Sequence, residues 1–195
     1  MSAIFLSASV PSREPFVSDC CPQEIQTAVN ALAQVALGRR KVVWGGHPAI
    51  TPMLWAAAQS FGVQYATAVH LFQSRFFKDE DFPEENKHFA NVTYVDVVDG
   101  DLKKSLAAMR MAMMQSEPFE AAVFIGGMEG IFEEHEMFKK LFPEAKCIPL
   151  ASTGGASRCL AEQLSYRLPA DVGPLDFVSL LYRELAIQPR DRRNS

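Results

Sequence analysis

Short apolar runs rich in Val, Ile and Phe alternate with longer amphipathic stretches along this chain, and that alternation constrains the fold more than any other feature. The strand candidates are Ala3–Ser7, Lys41–Trp44, Gln64–Leu71, Val92–Val97, Ala121–Ile125 and Cys147–Leu150. Between them, Gln23–Leu37 places Ile25, Val29, Leu32 and Val35–Ala36 on one helix face, with Gly38 as its stop. Pro48–Phe61 opens with Pro and ends before Gly62. Asp101 is suited to cap a helix running to about Gln115. Glu129–Phe142, Ala156–Ser165 and Leu175–Ala186 complete the helical set. Strands separated by helices need crossover connections, which are right-handed and give parallel pairing. Strand interiors that are apolar almost throughout predict helices on both faces. The expected fold is therefore α/β, a Rossmann-like, doubly wound, mainly parallel sheet of about six or seven strands.

No linker, repeat or low-complexity tract divides the 195 residues, so a single domain spanning 1–195 is expected. Its core runs from about 3 to 187. A basic tail follows over 188–195, in which Arg190, Arg192 and Arg193 read as a solvated end. Gln73–Ala90 is the least regular stretch and is suited to a short helix or a flap carrying Arg75. The net charge of −4 comes with no large cluster of Lys and Arg, which argues against nucleic acid as a partner. No apolar run approaches the roughly 20 residues that span a bilayer. Met1–Leu6 reads as a first strand rather than a secretory signal, and Cys20, Cys21, Cys147 and Cys159 lack a CxxC pair. A cytoplasmic protein with reduced thiols, no metal site and no membrane contact is expected.

The strand ends carry the functional signal. The first ends in Ser7-Ala8-Ser9 and the second in Gly45-Gly46-His47-Pro48. The fifth ends in Gly126-Gly127-Met128-Glu129-Gly130 and the last in Ser152-Thr153-Gly154-Gly155. In an open parallel sheet these ends share one edge, where ligands bind. Small residues admit a ligand to the backbone, and helix N-termini there favour phosphate. Gly and Ser also occur in such turns simply because the chain must turn. His47 is equally suited to be a base, a phosphate donor or a packed turn residue. The methionines 109, 111, 113 and 114 suit core or interface filling. The GxGxxG fingerprint and the GxxxxGK[ST] loop are both absent, which disfavours ordinary dehydrogenases and P-loop NTPases.

Gly126-Gly127-Met128-Glu129-Gly130-Ile131-Phe132-Glu133-Glu134 resembles the PGGxGTxxE motif of the lysine-decarboxylase-like, or LOG, proteins. Together with Ile4–Ser9 and Gly45–Pro48, it makes the chain similar to the wider SLOG superfamily, which joins LOG and DprA-type domains. It looks most like the SLOG domains associated with TIR proteins, to which the sensor domain of Thoeris antiphage effectors belongs. LOG enzymes also carry an Arg-Lys-x-x-Met run, which Arg110-Met111-Ala112-Met113-Met114 resembles. Departures are Ile125 for Pro, Ile131 for Thr, Met111 for Lys, and one residue inserted before Gly130. The insertion leaves Glu133 and Glu134 as rivals for one position, and the spacing from Gly130 favours Glu134.

The resemblance implies binding or sensing of a nucleotide-derived small molecule, such as NAD, ADP-ribose or a cyclic ADP-ribose-like ligand, with no cofactor required. Its contacts would be Ser7, Ala8, Ser9, Gly45, Gly46, His47, Arg110, Gly126, Gly127, Met128, Glu129, Gly130, Glu134, Thr153 and Gly154. Arg110 and Glu134 would flank the ribose, and the alternative that Arg110 is a solvated helix residue stays open. The resemblance also implies a homo-oligomer and an effector protein as partner. The alternative function is a LOG-like phosphoribohydrolase of nucleoside 5′-monophosphates, with Arg110 and Glu134 as its catalytic pair. A third reading is a purely structural interaction domain.

Overall fold

The computed structural model describes residues 2–77 and 82–194. Six strands, β1 (Ala3–Ser9), β2 (Lys41–Trp44), β3 (Val69–Ser74), β4 (Asn91–Val95), β5 (Phe119–Gly126) and β6 (Lys146–Pro149), form one sheet in the order β4-β3-β2-β1-β5-β6. Every pairing is parallel. The chain walks outward from β1 to β4, then crosses back to place β5 on the other side of β1. The order therefore reverses between β1 and β5, which makes that junction the switch point of the sheet. Among the described residues no helix is long and apolar enough to cross a membrane.

Helices cover both faces, as the apolar strands require. On one face α1 (Pro22–Ala36), α2 (Thr51–Phe61) and α6 (Phe177–Glu184) pack over Ile4, Leu6, Val42, Trp44, Leu71 and Val123. Helix α1 is buried at Ile25, Ala28, Val29, Ala31, Leu32, Ala33, Val35 and Ala36. Its alanines keep it thin enough to lie between the sheet and α6. On the other face α3 (Leu102–Gln115), α4 (Gly130–Leu141) and α5 (Gly155–Gln163) cover Phe5, Val43, Phe72, Ala122 and Phe124. Phe138 is fully buried there, with its ring 5.7 Å from Phe5 and 5.1 Å from Phe142. Each fully buried side chain of this size contributes about 1.5–3 kcal/mol of burial free energy. Met109, Met113 and Met114 are buried in this layer, whereas Met111 is only partly buried.

Three sequence expectations are sharpened or changed. The third strand begins at Val69, because Val63–Ala68 form a 3₁₀ helix in which the Thr67 hydroxyl donates to Gln64 O at 2.7 Å. That strand also continues past Leu71 through Gln73 and Ser74, both buried polar residues. Second, Glu84–His88 form the short helix anticipated in the irregular stretch. The flap expected there falls partly on 78–81, outside the described residues, and Arg75 instead pairs with Asp96 at 3.5 Å. Third, the basic tail docks on the C-terminal end of α1. Arg193 donates to the carbonyls of Leu37 and Gln34, and Asn194 N donates to Gly38 O at 2.6 Å. Carbonyls left open at a helix C-terminus attract a cation, which packs Arg193 against the helix, while Arg190 and Arg192 are exposed as expected of a solvated end.

Candidate functional site

A cavity of about 930 Å³ opens along the carboxyl edge of β1, β2 and β3, beneath the N-terminal parts of α3 and α4. Register explains what lines it. Residues of β1 alternate between faces, so Phe5 enters the core under α3 and α4, and Ser7, two positions on, reaches the same side where the core gives way to the cavity. There the Ser7 hydroxyl donates to Glu134 Oε2 at 2.5 Å. Arg110, one helical turn before the buried Met113 and Met114, donates from Nε to Glu134 Oε1 at 3.1 Å and from Nη1 to Glu133 Oε2 at 2.5 Å. The side chains of Arg110 and Glu134 are only 13% and 16% exposed, whereas Glu133 is half exposed. The two rival glutamates thus share one guanidinium, and Glu134 is the inner partner.

Gly130 is part of this arrangement. A Cβ there would lie 2.8 Å from Arg110 Nη2, so the absent side chain is what lets the guanidinium lie against the first turn of α4. Nη2 has no hydrogen-bond partner among the described residues. Burial pushes the Glu134 carboxyl above its ordinary value, and Arg110 and the Ser7 hydroxyl oppose that rise. Glu129, at the N-cap of α4, makes no side-chain cap. It pairs instead with Arg13 at 2.7 Å, on the surface at the cavity rim. By contrast α3 is capped, because Asp101 accepts the Lys104 N–H at 2.8 Å.

His47 lines the second strand's end. Its Nδ1 accepts the Ala49 N–H at 3.2 Å, and burial lowers its pKa. The ring is therefore neutral at pH 7 with its proton on Nε2, which makes it both a turn-former and a potential donor. Gln73, buried on β3, donates to Gly46 O at 3.2 Å and fixes the neighbouring turn. Leu102, Leu106 and Met109 form an apolar wall on α3, and Phe77 and Phe82 stand at the same cavity.

Of the residues singled out from sequence, Ser7, Ala8, Ser9, Gly45, Gly46, His47, Arg110, Met128, Glu129, Gly130 and Glu134 border the cavity. Gly126, Gly127, Thr153 and Gly154 do not. They form a closed knot at the switch point. The Thr153 hydroxyl accepts the Gly126 N–H at 2.9 Å, and Gly127 O accepts the Ala156 N–H at 2.9 Å. A Cβ on Gly154 would lie 1.9 Å from the backbone oxygen of Asp19. The loop between β1 and α1 thus folds down over these turns and moves the open space toward β1, β2 and β3. Sequence reasoning did not single out Arg13, Gln73, Ser74, Phe77, Phe82, Lys103 or the α3 wall as cavity residues. Their signal is positional only, since each lies near a strand end or a helix start. Among the described residues no three His, Cys, Asp or Glu side chains gather as a metal site would need.

No curated protein matches the chain. The model of one family matches residues 16–185, which include both glutamates, Arg110, the closed knot and most of the cavity. The chain belongs to the SLOG cluster3 family.

Proposed function

We infer that the cavity binds a nucleotide-derived small molecule. The ligand class is NAD, ADP-ribose or a cyclic ADP-ribose-like molecule. Membership of the SLOG cluster3 family supports a nucleotide-related function. The observation that carries the reading is the largely buried Ser7–Glu134–Arg110 cluster beside the switch point. A shielded carboxylate accepts hydrogen bonds from ribose hydroxyls, and the open Nη2 of Arg110 is a donor for a phosphate oxygen. Among the described residues the lining carries four acids (Asp101, Glu129, Glu133, Glu134) against three cations (Arg13, Lys103, Arg110). That balance favours a ligand rich in hydroxyls and modest in phosphate. The wall of Leu102, Leu106 and Met109 suits the flat face of a base. In this reading the domain senses rather than converts its ligand, and it signals through a homo-oligomer or an effector protein.

Thermal unfolding in the presence of AMP, NAD, ADP-ribose and cyclic ADP-ribose tests this. A ligand at 100 times its Kd adds about 2.7 kcal/mol to stability, and Arg110→Ala and Glu134→Gln should each remove the shift. The reading is lost if none of the panel moves the wild-type transition. A second reading, hydrolysis of the N-glycosidic bond of a nucleoside 5′-monophosphate, draws on one observation. A carboxyl raised by burial inside a cavity is the form that a general acid takes. Chromatography of AMP incubated with the protein should then reveal adenine and ribose 5-phosphate, and intact AMP would sink this second reading.

A further inference from the structure

Strand β3 continues past its apolar stretch, and Gln73 near its end is only 3% exposed yet borders the large cavity. Its Nε2 donates to Gly46 O at 3.2 Å. A carbonyl can only accept, so this bond turns the NH2 group toward the Gly46 turn and leaves Oε1 at the other end of the amide. Oε1 accepts no hydrogen bond among the described residues, and it is not closed off from solvent as the Trp44 indole nitrogen on β2 is. The open space that Gln73 borders is the cavity. A polar side chain held this deep is costly to leave unmatched, so its open acceptor marks a place for a donor. Ser74, also buried at the cavity, does not offer the same group, because its Oγ already accepts the Phe76 N–H at 3.2 Å.

The Gly45-Gly46 turn passes between Gln73 and helix α3. A Cβ on Gly45 would lie 3.4 Å from the Met109 side chain, and one on Gly46 would lie 1.8 Å from Gln73 Nε2. Met109 belongs to the same apolar wall as Leu102 and Leu106. A planar ring laid along this side-chain-free turn therefore meets an apolar wall on one side and a fixed amide oxygen on the other. We propose that Gln73 is the specificity-determining residue for the base of the ligand. Its Oε1 accepts from an exocyclic amine, such as that of adenine, and rejects a base such as hypoxanthine, which carries a carbonyl in that place. Two acceptors facing each other leave both unmatched, and a site built to bond an N–H discriminates strongly against an analogue without it. This inference rests on the nucleotide reading of the cavity and adds the choice of base to it.

The probes are AMP paired with IMP, and NAD paired with its hypoxanthine analogue, titrated calorimetrically into the full chain. The members of each pair differ in the base alone. The adenine member is expected to bind about tenfold more tightly, as loss of one hydrogen bond to a buried partner does. Gln73→Met keeps the length of the side chain and removes the acceptor, so it should bring the two members to similar affinity by weakening the adenine member. A role confined to holding the Gly46 turn would weaken both members alike and leave their ratio intact. The proposal is overturned if the wild type binds both members of a pair equally, a comparison that needs no variant to fold, or if Gln73→Met keeps the wild-type ratio. Silence from all four probes would sink the nucleotide reading itself and this inference with it.

Discussion

Gly45-Gly46 and Gly126-Gly127 are the same dipeptide at the same kind of place, the carboxyl end of a parallel strand, yet what closes on them differs. At Gly45 the nearest atoms a Cβ would meet are the flexible ends of Met113 and Met109, at 3.3 and 3.4 Å, and the turn borders open cavity, whereas a Cβ on Gly46 (φ 69°) would come 1.8 Å from Gln73 Nε2 and 2.8 Å from the Leu71 side chain. At Gly126 (φ 59°) and Gly127 (φ 82°) the backbone is left-handed, and a Cβ on Gly126 would come 2.7 Å from the Ser9 carbonyl. Thr153 then closes on that turn with its side-chain hydroxyl, Gly155 lies against the Gly127 carbonyl, and Gly154 lies against the Asp19 backbone. In the first pair Gly45 leaves its side of the turn open to the cavity, while Gly46 is closed in by the side chains of Gln73 and Leu71. In the second pair both positions are closed, by the Ser9 carbonyl and by the side chains of Ile25 and Ile131. Small residues at a strand end therefore signal close approach, and whether the approaching group is a ligand or the protein itself depends on what the next loop does.

The largest expected effect tests the closed half. Gly154→Ala, at φ 73° and against the Asp19 carbonyl, should cost at least about 3 kcal/mol in urea unfolding or prevent folding. A loss below 1 kcal/mol would mean that the knot is looser than its contacts imply. Next, Arg110→Ala strips Glu134 of its cation and should cost about 2 kcal/mol, with Glu134→Gln on top of it recovering part of the loss. Additive losses in that double variant would argue against a coupled pair.

A smaller effect follows from the raised Glu134 carboxyl. Because its folded pKa lies above the ordinary 4.5, the stability it confers is complete below that value and is lost as pH rises through the folded one. Glu134→Gln resembles the protonated form and loses nothing over that range. Urea midpoints taken upward from pH 4 should therefore shift in favour of the glutamine variant; a difference that runs the other way would mean that Arg110 and Ser7 outweigh burial. The smallest effect belongs to the open half. Gly45→Ala should change stability by less than about 1 kcal/mol, since flexible methionines can yield. Its consequence should appear instead as weaker nucleotide-induced stabilisation.

Much of this molecule was legible in the order of its residues. Alternating apolar runs with helical spacing between them dictate a parallel α/β sheet, because each strand interior is apolar on both faces and must be covered twice. Asp101 announces its helix start through a local capping bond, and Gly130 with Glu134 announces the helix that faces Arg110. These are short-range relations, and local chemistry is enough to write them. What only the tertiary structure decided is long-range. The strand order places the switch point between β1 and β5, and the loop after β1 then fills it, which shifts the cavity toward β2 and β3. Buried Gln73 and Ser74 extend a strand whose polar end reads locally as a loop, and the tail of Arg193 finds carbonyls at the far end of α1. None of these contacts follows from spacing along the chain, because each joins residues that only the packed sheet brings within hydrogen-bond distance.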